Sequence, residues 1–207
     1  MPLSCIVQVQ AESHTPSSVI FAVFLVLAAL IVNVGLSLIN TWLNLPFFLD
    51  SIGTAVVAAV AGLAPALVVA VGTNLLFEVT YGFTLTHLPF AICGIATVFI
   101  VRAFVRSGNF CNVGNVLVAG LAVAMANAIL GGIIAAFLFG GVTGVGIDFL
   151  VTGLVASGQS LLTASFWARV PANIIDKTIA IFAAYFSLAP LRRLGHHLSR
   201  HGARRTA

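Results

Sequence analysis

Again and again along this chain, about twenty residues pass with almost no side chain that can carry charge, which is the length of helix needed to cross a bilayer's hydrocarbon core. The clear runs are Val19–Leu38, His87–Phe104, Asn115–Phe139 and Pro171–Leu191. A further apolar stretch, Phe47 to Val79, is broken at Gly62-Leu63-Ala64-Pro65. Proline favours a helix start and glycine a helix end. The break therefore predicts two short spans, Phe47–Ala61 and Pro65–Val79, and the expected fold is an all-α bundle of six transmembrane helices. Composition points the same way. Of 207 residues 7% are charged and 60% hydrophobic, with a mean hydropathy of +1.15, whereas soluble domains carry roughly 25% charged residues. Lipid must serve as the solvent of such a chain. A soluble enzyme is excluded, and the length suits one membrane domain.

The first 18 residues are polar and contain no Lys or Arg. A cleaved secretory signal opens on a basic stretch, so the run from Val19 reads as a retained first span behind a polar segment, 1–18. Seven of the nine basic residues fall in two groups: Arg102 and Arg106, then Arg192, Arg193, Arg200, Arg204 and Arg205. Cytoplasmic flanks collect such residues. Two cytoplasmic groups need an even number of crossings between them, which the fifth and sixth spans supply. Both termini are then expected in the cytoplasm, with the protein multi-pass in the cell (inner) membrane. Residues 19–191 form the membrane domain, and 192–207 form a basic tail whose arginines are too few and too close to the membrane to argue for nucleic acid and suit anionic lipid headgroups better. Gly146–Ala168 is apolar enough to cross as well, but a third crossing would break the parity. It is expected as an external, partly helical segment packed over or into the outer end of the bundle.

Ionisable groups inside a membrane domain are costly and mark function by default. On this topology Asp50, Glu78, His87, Asp148, Arg169, Asp176 and Lys177 all fall in the outer half, with Asp148 and Arg169 in the external segment and Asp176 and Lys177 about 8 Å below the start of span six. A pocket open to the outside is expected. Asn173 and Lys177 are four apart and share one helix face, as do Asn74 and Glu78. The candidate substrate-binding set is Asp50, Asn74, Glu78, His87, Asn173, Asp176 and Lys177, with Trp167 able to stack on a flat ligand. Trp42, Tyr81, Phe47 and Phe48 gather near the same boundary, where aromatic residues also anchor helices in the interface. Lys177 could equally be an ion-pair partner of Asp50, Glu78 or Asp176. Acidic groups outnumber basic ones in this region, which suits a neutral or cationic solute. Asn33 and Asn127, at mid-span, read as interhelical hydrogen-bonding groups.

Gly120, Ala124, Ala128, Gly132, Ala136 and Gly140 recur every four residues along the fifth span. Such a ridge lets another helix approach closely, either within the chain or from another membrane subunit. Cys5, Cys93 and Cys111 have no metal-ligand or redox spacing and read as small apolar residues. No metal or cofactor is expected. Gly158-Gln159-Ser160-Leu161 lacks the last glycine of a rhomboid serine motif, and Gly144-Val145-Gly146-Ile147-Asp148 is out of register for an intramembrane aspartyl protease. No Walker A loop is present, so the chain is not expected to be an enzyme or to hydrolyse ATP itself.

Two segments carry a family resemblance. Leu45-Pro46-Phe47-Phe48-Leu49-Asp50-Ser51-Ile52-Gly53-Thr54 with Ala61-Gly62-Leu63-Ala64-Pro65-Ala66-Leu67 resembles the second and third helices of S components, the substrate-binding subunits of energy-coupling factor (ECF) transporters. Pro171-Ala172-Asn173-Ile174-Ile175-Asp176-Lys177 resembles the start of their sixth helix. The resemblance covers roughly Val19 to Arg193. It implies a binder of a vitamin or similar micronutrient, which takes its ligand from outside. Such a subunit docks on a membrane-embedded T component carrying two ATPase subunits and releases the ligand inside. It also implies a small-residue docking face on the first helix, to which Ala22, Ala28, Ala29 and Gly35 are the candidates, although no alanine-xxx-alanine pair occurs there. Flavin-binding relatives read P-x-N-x-x-K in the sixth helix. Asp176 stands where that lysine would be and Lys177 follows it, so riboflavin is only a first ligand to test. The alternative is a membrane sensor or anchoring module of similar helix plan with no transport role. An ion-coupled carrier would want an internal inverted repeat, and none is seen.

Overall fold

The computed structural model describes residues 16–144 and 146–203, and the side chains of 19–144 and 146–195. It is all-helical among the described residues. The elements are α1 (Pro16–Trp42), α2 (Ile52–Val60), α3 (Leu63–Thr80), a short 3-10 turn (Leu88–Phe90) leading into α4 (Ala91–Arg106), α5 (Val113–Phe139), α6 (Asp148–Ala156) and α7 (Leu161–Ala203). Five helical stretches are long and apolar enough to cross a membrane: Val19–Trp42, Leu63–Thr80, Leu88–Arg106, Val113–Phe139 and Leu161–Gly195. The chain is a multi-pass membrane protein. Its outer surface is oily, with Ile20, Phe24, Ile31, Phe137 and Phe186 all exposed, as a lipid-facing bundle requires.

Two of the expected spans take a different form. The second, Phe47–Ala61, is helical only over the 9 residues Ile52–Val60, about 13 Å of helix. Residues 47–50 precede it without helical structure, and Leu49 has φ +51°. Irregular backbone at membrane depth is tolerated where it lines a cavity, and Phe47, Phe48 and Asp50 do so. The sixth span begins at Leu161, not at Pro171, and runs unbroken with Pro171 and Pro190 inside it. Membrane helices accommodate proline because neighbouring groups re-satisfy the freed carbonyl. The expected external segment 146–168 therefore divides. Only its first part, with the 9-residue α6, lies outside the long helices, while 161–168 belong to α7. The basic segment from Arg192 likewise continues α7 to Ala203, and Arg204 and Arg205 lie outside the described residues. Of the polar segment 1–18, residues 1–15 also lie outside them.

Close packing of small residues and buried hydrogen bonds hold the bundle, since lipid removes most of the hydrophobic drive between helices. A Cβ on Gly53 of α2 would stand 2.5 Å from the Ala29 carbonyl oxygen of α1, so only glycine permits that crossing. Beside it Asn33 donates to Thr54 Oγ1 and Thr73 Oγ1, both at 3.0 Å, and accepts from the Gly53 amide at 2.7 Å. One asparagine thus ties α1, α2 and α3 together. Gly120 and Gly132 of α5 meet the backbone of Thr178 and Phe166 on α7, which runs antiparallel to it. Ala124 and Ala128 are buried between them, whereas Ala136 is only partly buried and Gly140 is the exposed left-handed cap that ends α5. The ridge is thus in large part occupied by α7. On α1, Ala29 is buried against Gly53, Ala22 and Ala28 are half-buried, and Gly35 has open space around it.

Contacts fix the two ends of the bundle. Gly195 of α7 packs against Phe21 of α1, and Arg102 and Arg192 donate to the Ala58 and Ala59 carbonyls at the end of α2. That placement suits the negative end of a helix dipole. At the other end Gly146 packs against the Leu45 carbonyl, and Ile147 and Val151 of α6 bury against Ala164, Ala168 and Ala172 of α7, with Phe48 alongside. The loops 43–51, 81–90 and 140–160 meet at this second end.

Candidate functional site

A cavity of about 350 Å³ lies between α1, α3, α4, α5 and α7 toward the end where those loops meet. The size is within the range of small-molecule sites. Aromatic and polar groups line it together: Phe47, Phe48, Phe77, Tyr81 and Phe90 are among the lining residues, the Tyr81 ring stacks on His87 with centroids 4.9 Å apart and planes 10° apart, and the Phe48 ring centroid lies 5.6 Å from Lys177 Nζ. The polar groups are ordered along α7. Arg169, Asn173 and Lys177 follow one another at four-residue steps on one face of α7, as the helix period demands.

Lys177 is almost fully buried. Its Nζ donates to Asp50 Oδ1 at 2.9 Å and to Ser51 Oγ at 2.8 Å. It also lies 2.6 Å from Asp176 Oδ2, which has no hydrogen-bond partner, so that contact between adjacent residues is Coulombic. Asp176 in turn accepts from the Leu49 amide through Oδ1 at 3.1 Å. The ion cluster therefore pins the irregular segment before α2 to the middle of α7. Lys177 lies 16 residues beyond Leu161, about 24 Å along the helix. It sits midway along the apolar length of α7 rather than about 8 Å below the helix start.

Two further carboxylates serve loops. Glu78 accepts from the amides of Leu85, His87 and Leu88 at 2.7, 2.6 and 2.8 Å. It thereby holds a loop in which Phe83 and Leu85 both take positive φ. Asp148 accepts from the Thr143 and Gly144 amides at 2.9 and 2.7 Å and from Thr143 Oγ1. His87 is partly buried, and burial pushes its imidazole below the ordinary value despite the opposing pull of Glu78 and Asp50. Its Nδ1, 3.9 Å from Glu78 Oε1, has no hydrogen-bond partner.

Of the expected binding residues, Asp50, Asn74, His87, Asn173 and Lys177 line the cavity. Glu78 and Asp176 stand behind its wall as supports. Trp167 does not reach it: its side chain is exposed and packs edge-on against Phe166. Arg169 was expected in the external segment but is buried in α7 and forms part of the cavity wall. Reading Pro171 as a helix start hid it. Extending the face of Asn173 and Lys177 by one turn back would have found it. Cys93, free and half-buried, also lines the cavity, as does Asn127, which donates to Thr97 Oγ1 at 3.0 Å. No protein-family model, curated protein or solved structure matches this chain.

Proposed function

We propose that this protein is a solute-binding membrane subunit, specifically the substrate-binding S component of an ECF-type importer. The observation that carries this reading is the cavity of about 350 Å³, lined by both aromatic and polar side chains, at one end of a helical membrane bundle. A few convergent polar groups on an apolar lining are what a small-molecule site needs. The far end carries Arg102, Arg106, Arg192 and Arg193, and this excess of positive charge supports a cytoplasmic orientation for it. The short α2 and its irregular lead then complete a sixth passage, the termini share the cytoplasmic side, and the cavity opens outward. The ligand is a vitamin-like micronutrient. The partners are a T component and two ATPase subunits that supply the energy, with no catalysis by this chain.

A stand-alone carrier is the second reading, favoured by the non-helical residues 47–50 beside Lys177 at mid-helix, where carriers often break their helices. Mass spectrometry of compounds copurifying with the detergent-solubilised protein tests the binding role, and copurification of ATPase subunits separates the two readings. A stoichiometric small molecule together with ATPases is expected. A ligand without ATPases turns the assignment to a carrier. Neither ligand nor ATPases overturns both and leaves a sensor or anchoring module.

A further inference from the structure

Resting on the solute-binding reading, we infer that the cavity is built for a zwitterionic ligand with an apolar, ring-like body, its oxyanion held by Arg169 and its amine by Asp50. The excess of acidic residues near the cavity suggests a cationic solute, yet most of those acids are already engaged. Glu78 accepts three backbone amides, Asp148 accepts from Thr143 and Gly144, and Asp176 is buried against Leu49 and Lys177. Asp50 differs. Its Oδ1 accepts from Lys177, but a third of its side chain, 33%, stays exposed in the cavity wall. Among the described residues it is the carboxylate that can accept from a ligand.

The cations divide in the same way. Lys177 is enclosed by two carboxylates and a hydroxyl. Arg169 is 1% exposed, yet its hydrogen bonds go only to neutral oxygens, Ser165 O at 3.1 Å and Thr143 Oγ1 at 3.4 Å, and its Nε has no partner. Among the described residues no carboxylate lies within ion-pairing distance of it. A guanidinium carries five N–H donors, and a buried charge is costly until an opposite charge pairs with it. A ligand oxyanion supplies that charge, in the planar geometry a guanidinium binds best.

The two poles are separated. Arg169 and Lys177 are eight residues apart on α7, about 12 Å along its axis, and Asp50 sits on Lys177 at 2.9 Å. The same cavity is lined by aromatic side chains, the stacked Tyr81 and His87 among them, which offer a flat surface to a ring.

Binding of para-aminomethylbenzoate to the purified full chain, compared with benzylamine and benzoate, tests this. The two-ended probe is expected to bind about tenfold or more tightly than either single-ended one, the gain of one charge-assisted hydrogen bond. Arg169→Gln should erase the advantage over benzylamine, and Asp50→Asn the advantage over benzoate. Arg169→Lys keeps the charge and should retain part of the first, which guards against a folding defect in Arg169→Gln. Equal binding of the three probes, or binding of none, overturns the inference. So does a copurifying native ligand that lacks either group, and that result leaves the solute-binding reading standing.

Discussion

Replacing Lys177 changes the surroundings of two acids at once. With methionine in its place, buried Asp176 and half-buried Asp50 both lose the ammonium they share, and Asp176 keeps only the Leu49 amide. Removing one partner of a buried ion pair typically costs about 3–5 kcal/mol. Lys177→Met should therefore melt well below the wild type in detergent. Lys177→Met with Asp176→Asn should recover part of the loss, because one uncompensated charge is gone. A single variant with an unchanged melting temperature would show that the cluster does not hold α2 to α7. Loss of ligand binding on changing Lys177 thus has to be read beside a stability measurement. Asn173, which donates to the Arg169 carbonyl four residues back, is the cleaner probe of the cavity wall. At this scale the sequence marks the sites well, because charge in a membrane chain is scarce. It does not mark the partners. Asp50 and Lys177 are 127 residues apart, and nothing local distinguishes a carboxylate that holds a loop, such as Glu78, from one that faces a ligand.

At the scale of elements, long apolar runs identify α1, α4 and α5 directly, and the break at Gly62 sets the turn between α2 and α3. The starts of α2 and α7 depart from the sequence pattern for physical reasons. Pro171 reads as a helix start in water, where a lost amide hydrogen bond and a crowded turn end a helix; within a bundle the helix runs through it. In the non-helical segment 47–50 the Leu49 amide bonds to Asp176 on a distant helix rather than within its own turn, which no periodicity reveals. Glycines separate in the same way. Gly53→Ala puts a methyl 2.5 Å from the Ala29 carbonyl oxygen and 2.7 Å from its Cα, so α1 and α2 must part and the Asn33 bridge must loosen. A cost of about 1–3 kcal/mol is expected for such overpacking. Gly35→Ala meets nothing within 4 Å and should be neutral or gain up to about 1 kcal/mol from helix propensity. Thermal unfolding of the two variants side by side checks the packing of α1 on α2, and equal melting temperatures would refute it.

For the whole molecule, the sidedness of the cavity decides what the protein can do. A cavity near loops 43–51, 81–90 and 140–160, with the arginine-rich end opposite, can capture a solute from outside only if the arginines lie in the cytoplasm. Positive charge favours that orientation, since moving it across the bilayer during insertion is opposed. Ser107, after α4 near Arg106, and Ser157, after α6, are both exposed and stand at opposite ends of the bundle. Each can be changed to cysteine singly in a cysteine-free background and exposed to a membrane-impermeant maleimide in intact cells. Labelling of Ser157→Cys without permeabilisation, and of Ser107→Cys only after it, is the expected pattern. The reverse pattern would turn the cavity toward the cytoplasm. An importer's capture site cannot face that way at rest, so the S-component reading would fall even with a bound ligand in hand, and the cavity would be the receiving end of a sensor for an internal metabolite.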